Sequence, residues 1–560
     1  MDSTHKREYV ADRLFNFRPL FFSAVSLALG IVFAYLRIFK DVSAWWSMAL
    51  LPLAAASFCF CKGARRLAVT AVVALWLCAC FCFGYSAFSN KILDFTDVRQ
   101  YSGRADVVGK VEEKTLNEYT LTVVLENVKI DGEEQDGRLV ADMSPAYADK
   151  IRLADVVWLS GFVQTDSSFF DEYGFRANDI SQNVRFALTN LQTLQVVGHK
   201  LDWIATVRNR MERVVYAGMD ETPTAVTMAI LTGNTSGIDS DLLENVRRGG
   251  IAHIFAVSGL HVGALYGFCL LLIKKTALKR LPKPVHFILL AFVLCFYAGV
   301  CGFTASVVRA LILCLVSYAA KSIGIKSDSL ETLGLAAFLI LLINPIELFC
   351  VGFQLSFSAC FGIVFLAKPI GHVCDETYNR LVLSLAGKRK QSLLQRRKER
   401  EDLPPTVWES VRRAVFSLMS VSFAAQIATA PVLLQTFGYV SCWALLLNLL
   451  FVPLISAAFS LLLLFVLISC MLPVSAASAV LYLPSMLWSA VLLVFEIFDF
   501  SSFMVRGFSI TAGGTACYYL ACTFCSDKWN ISAKMRRYCA FGLMTAFAIT
   551  TFLRNLPMFF

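Results

Sequence analysis

Charge is what this 560-residue chain has least of: Asp, Glu, Lys and Arg make up 16% of it, hydrophobic residues make up 57%, and between Val415 and Phe495 no residue is charged. That excludes a soluble globular protein of this length, whose composition is roughly a quarter charged. Cysteine is missing from residues 98–198, the one sizeable polar segment, so that segment has no disulfide framework. The 18 cysteines fall in or beside apolar runs or on the inner side. Cys59 with Cys61, and Cys78 with Cys80 and Cys82, have metal-like spacing but read as small packing residues of membrane helices. Catalytic signatures are missing as well. There is no Gly-x-x-x-x-Gly-Lys-Ser/Thr phosphate loop, no His-Glu-x-x-His helix and no Gly-x-Ser-x-Gly elbow, and none of the six histidines stands in a His-x-His-x-Asp-His arrangement. The chain is therefore read as a non-enzyme with no cofactor and no metal.

What is present is a series of apolar runs longer than the roughly 18 residues that mark a spanning helix. Pro19–Leu36, Val42–Cys61 and Leu67–Ser89 form an N-terminal trio, which is no cleavable signal peptide because three spans follow one another. A second block begins with Ile251–Ile273. Val285–Ala320 is long enough for two spans turning near Gly299 and Gly302, and Thr332–Asn344 and Leu348–Ala367 flank Pro345. Val415–Phe495 accommodates three, with turns near Tyr439 and Pro473, and Phe508–Cys525 and Tyr538–Leu553 complete the set. The fold class is a polytopic α-helical membrane protein of about 13 spans with one small external β-barrel.

Lys and Arg gather in cytoplasmic loops. Lys6, Arg7, Arg13 and Arg18 place the N-terminus inside, and strict alternation puts the clusters at Lys62–Arg66, Lys274–Lys283, Lys388–Arg400 and Lys528–Arg537 on the same side. Residues 98–198 and the C-terminus then face outward. The net charge of +10 follows from these loops and is weak evidence about partners. Four parts result: an N-terminal trio over residues 1–97, an external β domain over 98–198, interfacial helices over 199–250, and a polytopic domain over 251–560 with a basic cytoplasmic insert at 370–413.

Within 98–198, period-2 stretches at Ala105–Val111, Tyr119–Ile130, Arg138–Met143, Asp155–Val163 and Val184–Leu188 are separated by turns such as Asp131-Gly132 and Asp136-Gly137. Five short strands fit an OB-like barrel. Ten Lys and Arg against 16 Asp and Glu oppose tight nucleic-acid binding, which favours a structural or gating use; the alternative is a local contact through Arg176 and Arg185 with Tyr173 and Phe175. Leu201–Tyr216 repeats apolar residues at Leu201, Ile204, Val207, Met211 and Val214 or Val215, with Arg208, Arg210 and Arg213 opposite, an amphipathic helix anchored by Trp203. A second helix is expected from about Asp239 to Arg248, capped by Asp239 or Ser240 and ended by Gly249-Gly250.

From Gly249 to Gly263 the chain reads Gly-Gly-Ile-Ala-His-Ile-Phe-Ala-Val-Ser-Gly-Leu-His-Val-Gly. Polar groups at the head of a spanning segment must face protein or water, and clustered glycines let a helix break where it lines a cavity. On a continuous helix His253 and His261 share one broad face; a break at Ser258-Gly259 brings them together. No Asp or Glu accompanies them, so pore lining is the better reading than a metal site.

These residues resemble the ComEC competence-protein family. The signature runs from Gly250-Ile251-Ala252-His253 into Ala256-Val257-Ser258-Gly259-Leu260-His261-Val262. Ala225–Gly233, Ser306-Val307-Val308-Arg309-Ala310, the Asn344-Pro345 turn before Gly352-Phe353-Gln354-Leu355-Ser356-Phe357, and Gln426 with Pro431 ahead of Asn448 and Pro453 are similar too. The resemblance implies a channel in the bacterial inner membrane through which single-stranded DNA enters the cytoplasm in natural transformation. The family's further metallo-β-lactamase-like domain has no ligands here, so the chain resembles a form lacking it, and degradation of the second strand falls to a separate nuclease.

A single-strand channel needs cations or donors for phosphates and enough polar lining to stay wet. Arg309 interrupts the otherwise uncharged stretch Val285–Ala320, so it either faces a water-filled path and contacts phosphate or is paired internally. His253, Ser258, Gly259 and His261 complete the expected lining. Gln354, Ser356, Gln426 and Asn448 suit either lining or interhelical hydrogen bonding. The expected partners are single-stranded DNA, membrane lipids at the basic insert or, there, a cytoplasmic ATP-driven translocase. A secondary transporter for a small solute or lipid precursor shares broken helices and midplane polar groups. An intramembrane hydrolase using Ser258 with His261 lacks every accompanying motif.

Overall fold

A computed structural model describes residues 18–40, 64–116, 119–172, 174–235, 237–255, 257–324, 328–385, 407–497, 503–526, 528 and 532–555. The expected span Val42–Cys61 and the basic run Lys388–Arg400 lie outside the described residues. Most of the rest is helical. Eight of the described helices are long and apolar enough to cross a membrane.

Two N-terminal helices, α1 (Pro19–Lys40) and α2 (Ala64–Thr96), cross so closely that a Cβ on Gly30 would stand 2.1 Å from the Phe81 carbonyl oxygen and one on Gly84 2.3 Å from that of Leu27. Small residues permit this approach, which gives packing without a hydrophobic driving force in lipid. Beyond α2 the chain leaves the apolar bundle and forms strands. β1 (Ser102–Leu116), β2 (Leu121–Ile130), the short β3 (Glu133–Glu134), β4 (Arg138–Met143), β5 (Asp155–Thr165), the hairpin β6 (Phe170–Asp171) and β7 (Gly174–Phe175), and β8 (Val184–His199) follow in order. The pairings β1-β5-β8-β4-β2 return to β1, so five strands form a closed ring, with β4 and β8 parallel and the other neighbours antiparallel. Alternate residues point inward, among them Val107, Val111, Leu121, Val123, Leu125, Leu139, Val157 and Leu159, all essentially inaccessible. Asp131 and Gly132, both at positive φ, make the turn into β3.

The ring is fastened to the helices at two places. Inside the β5–β8 connection, α3 (Ala177–Ser181) presents Ser181 to Glu347, and Asn344 donates to the Ser181 hydroxyl at 2.9 Å. Phe169, Phe170 and Phe175 pack there against Tyr35, Phe39 and Phe349. At the second place Asp202 caps α4 (Trp203–Gly218) by accepting from the Ile204 and Ala205 amides, and also accepts from Lys110 of β1 at 2.9 Å. Trp203 stacks on Phe296; Leu201, expected on the apolar face, instead precedes the helix and is exposed. Arg210 donates to the carbonyls of Cys470 and Leu472, so it terminates a membrane helix rather than facing solvent.

After α4 come α5 (Glu221–Thr232) and α6 (Ser240–Arg248), the latter capped by Asp239 as expected. A one-turn α7 (Ala252–Phe255) leads to α8 (Gly259–Lys275), α9 (Lys283–Val300), α10 (Ala305–Ile323), α11 (Ser329–Ile343), α12 (Val351–Leu385), α13 (Val407–Phe437), α14 (Ala444–Met471), α15 (Val474–Ile497), α16 (Ala512–Phe524) and α17 (Ala533–Asn555). Three helices occupy the uncharged stretch, with turns at Tyr439 and Pro473. The largest core joins α4, α5, α6, α8, α9, α10, α14 and α15.

The hydrogen bond from Lys110, followed by those from the Ala205 and Ile204 amides, holds the Asp202 carboxyl below the usual carboxylate range. Its contribution is therefore complete above the unfolded value near pH 4 and is lost as the pH falls through the lower folded value. Asp202→Ala should lower stability by about 1–2 kcal/mol at neutral pH. In detergent, thermal unfolding should show the gap between wild type and variant closing below roughly pH 4.

Candidate functional site

The glycine- and histidine-bearing segment lies against α14. Gly249 closes α6, and Gly250 takes φ +75°, with the position of a Cβ only 2.6 Å from the Ala444 Cβ and 3.0 Å from the Ser441 Cβ. Eleven residues later the His261 ring packs on Phe459, with centroids 4.7 Å apart. From Ala444 to Phe459 is about 22 Å of helix, so the segment runs along most of an apolar slab's thickness rather than across it. Its chain is broken as the glycines and Ser258 suggest: α7 ends at Phe255, Ser258 is extended, and α8 starts at Gly259.

The break is closed locally. The Ser258 amide donates to His261 Nδ1 at 3.1 Å, the Ser258 hydroxyl lies 3.3 Å from the same nitrogen, and the His261 amide donates to the Ser258 carbonyl. Since Nδ1 accepts, the hydrogen of a neutral ring sits on Nε2. That nitrogen is buried with no partner among the described residues, and His261 is fully buried. His253 is exposed. Ile251 beside it is fully buried.

Arg309 stands near the start of α10, which packs against α8. It is 7% exposed, and its Nε and Nη1 have no acceptor among the described residues. Its Nη2 is 2.9 Å from where a Gly259 Cβ would stand, and its guanidinium carbon is 5.5 Å from the Phe357 ring centroid. The cation–π contact contributes about 1–2 kcal/mol, whereas leaving a buried charge unpaired costs about 3–5 kcal/mol. The ring therefore does not offset the burial. Of the two readings of Arg309, internal pairing with a carboxylate has no support among the described residues.

At the other end of the segment the unmatched atoms are two amide oxygens and a hydroxyl. Gln426 on α13 donates from Nε2 to the Ser441 carbonyl at 2.5 Å, leaving Gln426 Oε1 buried; Ser441 Oγ and Asn448 Oδ1 are buried too, all three without partners among the described residues. Ser441 lies by Gly250, and Asn448 follows one turn after Ala444. Gln354 donates to the Leu348 carbonyl at 3.1 Å and so holds its own turn, while Ser356 is half-buried beside Phe357 on α12. Sequence reasoning passed over Ser441, Phe357 and Phe459. A serine or phenylalanine in an apolar run carries no signal until its neighbours are known. The external contact through Arg176 and Arg185 is not assembled: Arg176 pairs with Asp166 and Asp179, Arg185 is buried between Asp94 and Asp136, and Phe175 packs on α1. Tyr173 lies outside the described residues.

A family model described as "Competence protein" matches residues 230–529, more than half of the chain, including the broken segment, α10 and α14. The chain belongs to the competence-protein family. Among curated relatives, "ComE operon protein 3" of Bacillus subtilis is 25% identical over 230 residues, 41% of this chain and 24% of that one. "Uncharacterized protein MG316 homolog" of Mycoplasma pneumoniae is 32% identical over 141 residues, covering 24% of this chain and 35% of its own. "Uncharacterized protein MG316" of Mycoplasma genitalium is 33% identical over 131 residues, covering 23% and 32%. The alignments thus span about a quarter to a third of these relatives' own length. No solved structure matches.

Two glycines of this family segment differ in what surrounds them. Gly250→Ala would place a methyl against α14 at positive φ and should cost on the order of 2–4 kcal/mol. Gly263→Ala, with open space at the Cβ position, should leave the unfolding temperature in detergent unchanged. Equal effects of the two would show that the segment does not rest on α14.

Proposed function

We propose that this chain forms the membrane passage through which single-stranded DNA reaches the bacterial cytoplasm in natural transformation. One observation carries the reading: in a competence-family bundle, His261, Arg309, Gln426, Ser441 and Asn448 carry buried polar atoms without partners among the described residues, near the two ends of one broken segment along α14. Such atoms in hydrocarbon are tolerated where they meet water or a ligand. His253, Ser258, Gly259, His261 and Arg309 line the passage at one end, and Gln426 and Asn448 continue it at the other.

The closed five-strand ring with β4 parallel to β8 supports an OB-like barrel on the outer face, and the ion pairing of its arginines supports a structural or gating role for it. The alternation of basic clusters supports about 13 spans in the inner membrane with the N-terminus inside. Pulling the strand inward is assigned to a cytoplasmic ATP-driven translocase, and removal of the complementary strand to a separate nuclease.

The test follows labelled duplex DNA in a strain deleted for this gene and complemented with wild type, Arg309→Ala or His261→Ala. Label should be captured at the surface in every strain and reach the cytoplasm as a single strand only with wild type, with protein levels unchanged. Normal entry in the deletion strain would make a small-solute or lipid-precursor transporter the better account. Wild-type entry in both variants removes these two residues from the mechanism.

A further inference from the structure

We infer that Arg309 and the N-terminus of α8 form a seat for a single phosphate oxyanion, which holds one phosphodiester of a DNA strand at a time. The inference rests on the passage reading above and adds the chemistry of its narrowest contact.

α8 is a 17-residue helix whose first-turn amides have no intrahelical acceptors, so its start carries partial positive charge. Against that start lies a guanidinium: Arg309 Nη2 is 2.9 Å from the Cβ position of Gly259. A cation at a helix N-terminus is placed where the helix repels it, and no Asp or Glu among the described residues forms an ion pair with Arg309. Both unfavourable interactions reverse sign when an anion sits between them.

The unmatched atoms of Arg309 are donors: Nε and Nη1 are buried without acceptors among the described residues. A metal cation needs acceptors, and a base edge presents donors as well as acceptors. A phosphodiester presents acceptors only, with charge. A side chain at Gly259 would displace the end of the guanidinium, 2.9 Å from the Cβ position. Arg309 is 93% covered and lies against Gly259 and the Phe357 ring, inside the helix bundle. This favours a strand threading the interior over a lipid headgroup reaching from the bilayer.

The experiment uses the full chain purified in maltoside detergent, in gluconate buffer free of phosphate and sulfate. Inorganic phosphate and a short oligothymidylate should each raise the unfolding midpoint of wild type. A methylphosphonate oligothymidylate of equal length, which lacks the charge, should not. Arg309→Gln should bind oligothymidylate at least tenfold more weakly and lose the phosphate shift, Arg309→Lys should retain part of it, and Gly259→Ala should lose it. Without added anion Arg309→Gln should be at least as stable as wild type, because a charge without a counter-ion has been removed.

A less stable Arg309→Gln in that buffer would reveal an internal partner and overturn the seat. So would equal phosphate shifts in wild type and Arg309→Gln. Stabilisation by phosphatidylglycerol without any by oligothymidylate would reassign the seat to a lipid and overturn its DNA role. Absent binding with intact DNA entry refutes the seat and leaves the passage; intact binding with normal entry in the deletion strain refutes the passage and leaves an anion seat.

Discussion

In an apolar bundle an interrupted helix must find partners for the backbone groups it frees, and here the Ser258–His261 pair supplies them. One imidazole nitrogen takes up the Ser258 amide, the Ser258 carbonyl takes up the His261 amide, and α8 can begin in the middle of the bundle. The other imidazole nitrogen is thereby left as an unmatched donor. The residue that makes the break possible thus also makes it polar. Gly250 fixes the far end of the broken segment by bringing its backbone onto α14 where no side chain fits.

The electrostatics of the segment are asymmetric as a result. Unmatched donors lie at Arg309 and His261, and two amide oxygens and a hydroxyl lie around Ser441 and Asn448. Neither group satisfies the other, because the segment holds them apart along α14. A compact arrangement would have paired them and sealed the bundle.

The β ring is held by interactions that occupy two of its arginines. Its buried Arg185 and its Arg176 neutralise carboxylates within and beside the ring, and the aromatic side chains of its β6–β7 hairpin are packed on α1 and on the Pro345 turn. Asn344 and Pro345, which stand out in the sequence, prove to belong to this fastening: Asn344 caps the turn and reaches Ser181. The β domain therefore meets the bundle beside the helix that carries Phe357, as well as at Asp202 and α4.

Strands were legible along β1, β2, β4, β5 and β8 because one face of each is buried and alternation survives in the residues. The start of α6 at Asp239 and the break at Ser258 were legible because capping and helix breaking are local chemistry. α5 was not recognised as a helix: ten of its twelve residues are buried, so it shows no polar face and no period. The sequence by itself determined which segments are apolar enough to leave water and where the chain must turn, since burial and backbone geometry are written residue by residue. Only the tertiary structure decided that Arg309 rests on Gly259, that Gln426 meets Ser441, and that Arg176 and Arg185 are occupied. Those outcomes depend on which helix faces reach one another across scores of residues, and composition and period carry no information about that.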